Sequence, residues 1–359
     1  MINKITLFLF VGLLISCSTS SLEFQDDNEV NDLTLNPHNE PVLDTINITK
    51  VAYQEGRVKA FTDITFFDDQ FFLVFRDSDK HALGENGVIH IFNSHDGEEW
   101  NFMKEISMEG IDLRDPSFAI NEDDLSLYIH GSKYENQIIT EFSDYNFKYS
   151  TTEGWLEAEA VILDNLTNSN SSISGNEAWP WRITWHNGKA YTIGYNGSDI
   201  FDVYTSQNGL FFTKENAIEN LGSLPTEARI RVNNNDEFFV LARRNFGSTV
   251  LGKSLDPEQG WNWFGEIPFE NFRGPNFLIT DTNKIIFAGG FHSWVYLGLY
   301  DLETNTYSNI IDIPSFGDGS YPGMVVKDNV LWLSYYTSFE NEEGSSIYIA
   351  KINLNYFSI

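Results

Sequence analysis

Residues Phe61 to Arg76 read FTDITFFDDQFFLVFR: one apolar run, the pair Asp68-Asp69, then a second apolar run. Two short runs rich in Phe, Ile, Thr and Val about an Asp-Asp link specify antiparallel strands joined by a tight turn. With Val88 to Phe92 added, the strands Ile64 to Phe67, Gln70 to Arg76 and Val88 to Phe92 form one phrase. Working outward, the phrase recurs until Ile352, opening near Asp63, Arg114-Asp115-Pro116, Trp181-Arg182, Thr226-Glu227-Ala228, Arg273-Gly274-Pro275 and Tyr321-Pro322-Gly323. The fifth copy runs Asn276 to Ile279, Ile285 to Ala288 and Trp294 to Tyr300, and the second is stretched by the polar run Asn165 to Asn176. A period of about 45 to 50 residues built from short strands predicts an all-β, six-bladed β-propeller. Aromatics make up 15% of the chain and no helical period is sustained, which suits stacked sheets. Too few residues follow Lys351 for a fourth strand in the sixth phrase, so the early segment Asn47 to Tyr53 is expected to supply it and close the ring.

The N-terminus divides from this repeat. Residues 1–16 carry Lys4 and an apolar run from Ile5 to Ile15, of signal-peptide length and too short to span a bilayer well. Leu14-Ile15-Ser16-Cys17 has the pattern of a bacterial lipoprotein cleavage site, and Cys17 is the chain's single cysteine, with no partner for a disulfide. Lipidation of Cys17 is the leading expectation, a plain secretory signal the alternative. Residues 17–45 read as a polar, acidic tether, and 46–359 as the propeller. These segments point to a protein anchored in the bacterial envelope, at the outer membrane, touching the bilayer only through its lipid. The formal net charge of −30 argues against nucleic acid as a partner. A monomer without cofactor or metal is expected, since no His/Cys/Asp cluster has ligand spacing.

In a propeller each innermost strand starts at one face, and the loop between strands two and three returns to that face. Residues in these two slots converge on the mouth of the central channel. Six of the nine arginines fall there: Arg114, Arg182 and Arg273 in the first slot, Arg76, Arg243 and Arg244 in or beside the second. A guanidinium is a planar, permanently charged fork suited to a carboxylate, sulfate or phosphate. The bland reading pairs each arginine with a neighbouring acid such as Asp77, Asp115 or Glu227. Asp63, Glu227 and Tyr321 share the slots, either carboxylate being a candidate acid or base and the tyrosine a candidate nucleophile. His81, His292, Asn276 and the aromatics Trp179, Trp181, Tyr195, Trp294 and Tyr336 are candidate sugar contacts, with blade packing as the alternative for the aromatics.

Three turns repeat in register: Ser94-x-Asp96-Gly97-x-x-Trp100, Ser206-x-Asn208-Gly209-x-x-Phe212, and more loosely Ser254-x-Asp256 with Gly260-Trp261. They resemble the Asp-box turns of the sialidase superfamily. Together with Phe61-Thr62-Asp63, Asp112-Leu113-Arg114-Asp115-Pro116, Trp179-x-Trp181-Arg182, Thr226-Glu227-Ala228, Gly274-Pro275-Asn276 and Gly317-Asp318-Gly319-Ser320-Tyr321-Pro322-Gly323, they make the chain similar to bacterial exo-alpha-sialidase-like proteins through all six phrases. The resemblance implies a blade-four glutamate paired with a blade-six tyrosine nucleophile, an aspartate acid and three arginines on the substrate carboxylate. Glu227 and Tyr321 fit the pair, and Arg243 or Arg244 the blade-four arginine. Thr62-Asp63-Ile64 replaces the family's Arg-Ile-Pro opening, and Gly290-Phe291-His292 stands where a blade-five arginine is expected. The leading expectation is an exo-acting glycoside hydrolase removing an acidic or sulfated sugar from a glycan, gripped by Arg76, Arg182 and Arg243 or Arg244, with Asp63 as proton donor. The alternatives are a lipid-anchored glycan-binding protein without chemistry and a propeller-type polysaccharide lyase using His81 or His292.

Overall fold

Short apolar runs punctuated by Asp, Asn and Gly leave each segment room for one strand and a hairpin, and the chain folds accordingly. The computed structural model describes residues 46–164, 174–218, 221–339 and 344–357. The leader, Cys17 and the tether lie outside them, as does most of the polar stretch in the second phrase. Apart from one 3-10 turn at Leu354–Phe357, the described regular structure is all strand.

The described strands, apart from the two-residue Gly154–Trp155 and Ser174–Gly175 that pair with Ile138–Ser150, fall into six four-stranded antiparallel units, numbered here in chain order. Unit one is Val58–Phe67, Gln70–Ser78, Val88–Ser94 and Asn101–Ile106. Unit two is Asp112–Asn121, Asp124–Glu135, Ile138–Ser150 and Glu159–Asp164; unit three is Trp179–His186, Lys189–Tyr195, Phe201–Ser206 and Phe211–Ala217. Unit four is Pro225–Val232, Phe238–Arg244, Gly247–Ser254 and Asn262–Glu270; unit five is Arg273–Ile279, Lys284–Phe291, Trp294–Asp301 and Thr306–Ile313. Unit six takes Gly319–Lys327, Val330–Thr337 and Ser346–Asn353 from the end of the chain and Ile46–Ala52 from its beginning, the latter paired antiparallel to Ser346–Asn353. Units two and three are joined edge to edge, because Glu159–Asp164 runs parallel to Phe211–Ala217 and bonds to it. The first strands of the six units touch in a closed cycle, one to two, two to three, and so on until six meets one.

Both faces of most units are buried, which explains why the second strands read as continuous apolar runs. Gln70–Ser78 is buried at every position. Phe72, Val74, Leu113 and Leu127 fill the gap between units one and two, Phe239, Leu241, Phe277 and Phe287 that between four and five. The largest cluster joins Phe71, Trp332 and Ile349 of units one and six with Ile193, Val240 and Ile230 of units three and four. Phe61, Tyr321 and Trp181 belong to it.

Turn chemistry follows the sequence closely. Asp68-Asp69, Asn187-Gly188 and Asp328-Asn329 link first and second strands with both residues at positive φ, the pairing whose twist matches a hairpin. In the third-to-fourth hairpin of unit one, Gly97 N–H donates to Ser94 Oγ at 2.8 Å, and Glu98 and Glu99 N–H donate to Asp96 Oδ1 at 2.8 and 3.0 Å. Unit three repeats the pattern through Ser206 and Asn208. One expectation is corrected. The first strand of unit one begins at Val58, not Ile64, and that of unit five at Arg273, not Asn276. A break in side-chain alternation within each first strand conceals its earlier half from a period-two reading.

Candidate active site

That break is a β-bulge, and all six units have one at the same place. In every first strand two residues face one on the second strand: Phe61-Thr62, Asp115-Pro116, Arg182-Ile183, Thr226-Glu227, Gly274-Pro275 and Tyr321-Pro322. The first of the two has positive φ in five units: Phe61 56°, Asp115 44°, Arg182 44°, Gly274 56° and Tyr321 50°. For a bulky L-residue this region costs of order 1–3 kcal/mol, a cost typically retained at sites where side-chain direction matters.

Two of the bulges meet. Tyr321 donates its hydroxyl to Glu227 Oε1 at 2.7 Å, although 94 residues separate them. Arg243, opposite the Thr226-Glu227 bulge, donates from Nη1 to the same oxygen at 2.6 Å, and the Gly274 N–H donates to Oε2 at 2.6 Å. Arg243 is itself held by Asn271, whose Oδ1 accepts from Nε at 2.9 Å. Glu227 and Tyr321 are 4% and 3% exposed, so their bond sits in a shielded environment that strengthens it. Gly274 must be glycine: a Cβ there would lie 2.6 Å from Tyr321 Cα.

Aromatic rings wall the tyrosine. Phe61 packs edge-on at 4.8 Å, Trp181 at 5.9 Å and Tyr336 at 6.4 Å between ring centres. Tyr336 donates to Asp318 Oδ1 at 3.1 Å, and Asp318 Oδ2 meets His81 Nδ1 at 2.7 Å. Burial works against ionisation of Asp318, but His81, Arg273 and the Tyr336 hydroxyl outweigh it and hold its pKa below the usual carboxylate range. Arg114 lies 5.0 Å from the Phe61 ring centre and donates to the His81 carbonyl at 3.0 Å. Arg273 donates to the His292 carbonyl at 2.6 Å and the Gly319 carbonyl at 3.2 Å. His292, at φ 49° in the strand-two-to-three turn of unit five, packs edge-on against Phe291.

Four candidates face elsewhere. Arg76 is fully buried and donates to Asp112 Oδ1 at 2.6 Å and to the carbonyls of Lys80 and Leu113. Arg182 bonds Asp63 Oδ1 at 3.0 Å and the carbonyls of Thr62 and Pro322, tying unit three to units one and six. The second oxygen of Asp63 accepts from the Phe118 N–H at 2.8 Å, so both its oxygens are engaged inside the ring. Arg244 turns outward to Ser248 and Glu266 of its own unit. Arg114 and Arg273 precede the bulge while Arg182 lies in it, so these three do not share one slot as the repeat alignment implied. Asn276 is spent on the Pro322 carbonyl at 3.0 Å, and Asp115 stays partly exposed. Sequence reasoning gave no role to Asn271, Asp318 or Phe61; Asp318, three residues before Tyr321 between two glycines, was the one with a signal. Among the described residues no cluster of three or more His, Cys, Asp or Glu is arranged to hold a metal ion. No helix there is long and apolar enough to cross a membrane.

The arrangement of strands has solved counterparts. A sialidase from Trypanosoma rangeli, in complex with 2,3-difluorosialic acid, superposes with a TM-score of 0.65 at 10% identity over 87% of this chain and 60% of its own. The fold is sialidase-like. Phage phi92 endosialidase matches with a TM-score of 0.66 at 11% identity, covering 86% of this chain and 69% of that one. A Dyadobacter fermentans protein of unknown function matches with a TM-score of 0.71 at 14% identity over 86% of this chain and 99% of its own. This chain therefore spans about three-fifths of the trypanosomal sialidase. No family model and no curated protein sequence matches it.

Proposed function

We propose that the six units are the blades of a propeller and that its bulged face is the active site of an exo-acting glycoside hydrolase, releasing an acidic or sulfated sugar from a glycan. The observation that carries this reading is the 2.7 Å bond from the Tyr321 hydroxyl to Glu227, with Arg243 on the same carboxylate oxygen. A phenol is a poor nucleophile until its proton has somewhere to go, and a carboxylate in hydrogen-bond contact supplies that. Tyr321 Oη attacks the anomeric carbon as its proton passes to Glu227 Oε1. The glycosidic C–O bond breaks and the leaving oxygen takes a proton from an acid. Water then attacks the glycosyl-tyrosine, frees the sugar and returns the phenol. Asp115 is the acid in this reading, because it is partly exposed and holds the same bulge position in unit two that Tyr321 holds in unit six. Asp63 is left to bind Arg182.

Arg114 and Arg273, which flank the tyrosine through Phe61, His81 and Gly319, are assigned to the sugar's anionic group, with His81 and His292 as further contacts. The exposed pair Trp294 and Phe316, packed edge to face with ring centres 5.8 Å apart, offers an aromatic face for a neighbouring sugar. The experiment is incubation with glycans ending in sialic acid, uronic acid or sulfated sugars, with released monosaccharide read by mass spectrometry. Release by the native protein and none by Tyr321→Phe supports the assignment; equal release by both refutes it.

One observation favours a second reading, a glycan-capturing protein without turnover. Leu83, Ile138, Phe246, Trp294 and Phe339 are exposed, each in or beside the strand-two-to-three connection of a different unit, giving that face an apolar rim suited to binding alone. Saturable binding of an acidic glycan with no product would select it. The lipid anchor at Cys17 belongs to the proposal in either case, and globomycin-sensitive processing of the chain would test it.

A further inference from the structure

Beneath the bulges, the first strand of unit four carries two arginines that the proposed chemistry does not use. Its alternate residues Ala228 and Ile230 join the apolar cluster with Ile193 and Val240, so Arg229 and Arg231 project from the opposite face. Arg231 donates from Nε to the Phe277 carbonyl at 3.0 Å and from Nη2 to Asn276 Oδ1 at 3.4 Å. Arg229 is 5% exposed, and its Nε and Nη1 are enclosed with no acceptor among the described residues. The charges that bear on it are Arg231, Arg182 and Asp63. Asp63 is already bonded to Arg182 and to the Phe118 N–H. Three guanidinium groups thus face one carboxylate.

Burial, then the neighbouring cations, press the pKa of Arg229 well below its ordinary value, yet a guanidinium keeps its proton in proteins. A buried charge without a counter-charge is among the least favourable features a fold can hold. Water would satisfy the N–H donors and leave the excess charge in place; an anion accepts from the same donors and also reduces that excess. In a chain of net charge −30 the acids to balance these arginines are plentiful, but they are elsewhere. Three guanidinium groups and the Asp63 carboxylate leave an excess of two positive charges, which a small monovalent anion halves.

We propose that the ring encloses a small inorganic monoanion of the halide class, bound by Arg229 with Arg182 and Arg231 around it, which ties units one, three, four and five at the axis. The test is a crystal of the native protein grown in sodium bromide, examined at the bromine absorption edge. An anomalous peak within hydrogen-bond distance of Arg229 is expected; its absence overturns the proposal and leaves a water-filled enclosure. Thermal unfolding at constant ionic strength gives a second reading. Replacing gluconate by bromide is expected to raise the midpoint saturably in the native protein and in Arg244→Met, but not in Arg229→Met. A midpoint indifferent to the anion in the native protein counts against the site, and the bromide crystal decides the matter should Arg229→Met fail to fold.

Discussion

Tyr321 occupies a backbone region that aromatic residues rarely visit, and the strain aims its hydroxyl at Glu227. Tyr321→Phe removes one oxygen and leaves the ring packed among Phe61, Trp181 and Tyr336. It is expected to lower kcat by about a hundredfold or more, on the scale of removing a positioned catalytic group, and to lower the thermal midpoint only modestly, since Glu227 keeps its bonds from Arg243 and the Gly274 N–H. Asp63→Asn is expected to behave oppositely. It breaks the buried pair with Arg182 and lowers stability by about 3–5 kcal/mol in denaturant titration, while the pH dependence of turnover keeps the alkaline limb that a proton donor sets. That Glu227 and Tyr321 open equivalent phrases put both at one end of their strands, and their meeting was what the family resemblance implied. The inward pairing of Arg76 and Arg182 and the outward turn of Arg244 were not legible, since a slot in a repeat says how far along a strand a residue lies and not which way it points.

At the scale of strands and turns, Asp68-Asp69 between two apolar runs named the first hairpin directly. The bulges escaped because one extra residue shifts the alternation and disguises a ten-residue strand such as Val58–Phe67 as a shorter one. Gly97 shows how narrow the turn chemistry is: it sits at φ 73°, and an added Cβ would collide with the Trp332 ring. Gly97→Ala is expected to cost about 2–4 kcal/mol, read as a lowered midpoint in urea, with activity retained in the folded fraction. Unit one also holds an acid-sensitive clamp. Burial resists ionisation of Asp77, but Lys59 and Arg57 outweigh it and keep its pKa below the ordinary value. Its contribution is therefore full above about pH 4, the ordinary carboxylate pKa, and is lost as pH falls through its own lower value. Asp77→Asn is expected to be less stable at neutral pH and to show a flatter loss of stability on acidification, measured as unfolding midpoint against pH.

Across the whole molecule, closure depends on two ends of the chain meeting in unit six, where Ile46–Ala52 covers the edge of Ser346–Asn353. The strand count foretold this, because the last phrase was one strand short. The parallel join of units two and three was not foretold, since nothing local in Glu159–Asp164 marks it for Phe211–Ala217. A protein beginning at Tyr53 is expected to expose the Ser346–Asn353 edge and to self-associate, visible by light scattering at concentrations where the longer chain stays dispersed. The ring brings Glu227 from unit four, Gly274 from unit five and Tyr321 from unit six to one point, on which the proposed function rests. The most direct measurement of that claim is the release of a terminal anionic sugar from a panel of sialylated, uronate-capped and sulfated glycans, followed by mass spectrometry. The account predicts that at least one glycan loses its terminal residue to the native protein and to Arg244→Met, and does so about a hundredfold or more slowly with Tyr321→Phe. Release at an undiminished rate by Tyr321→Phe, or no release by the native protein from any member of the panel, would contradict it.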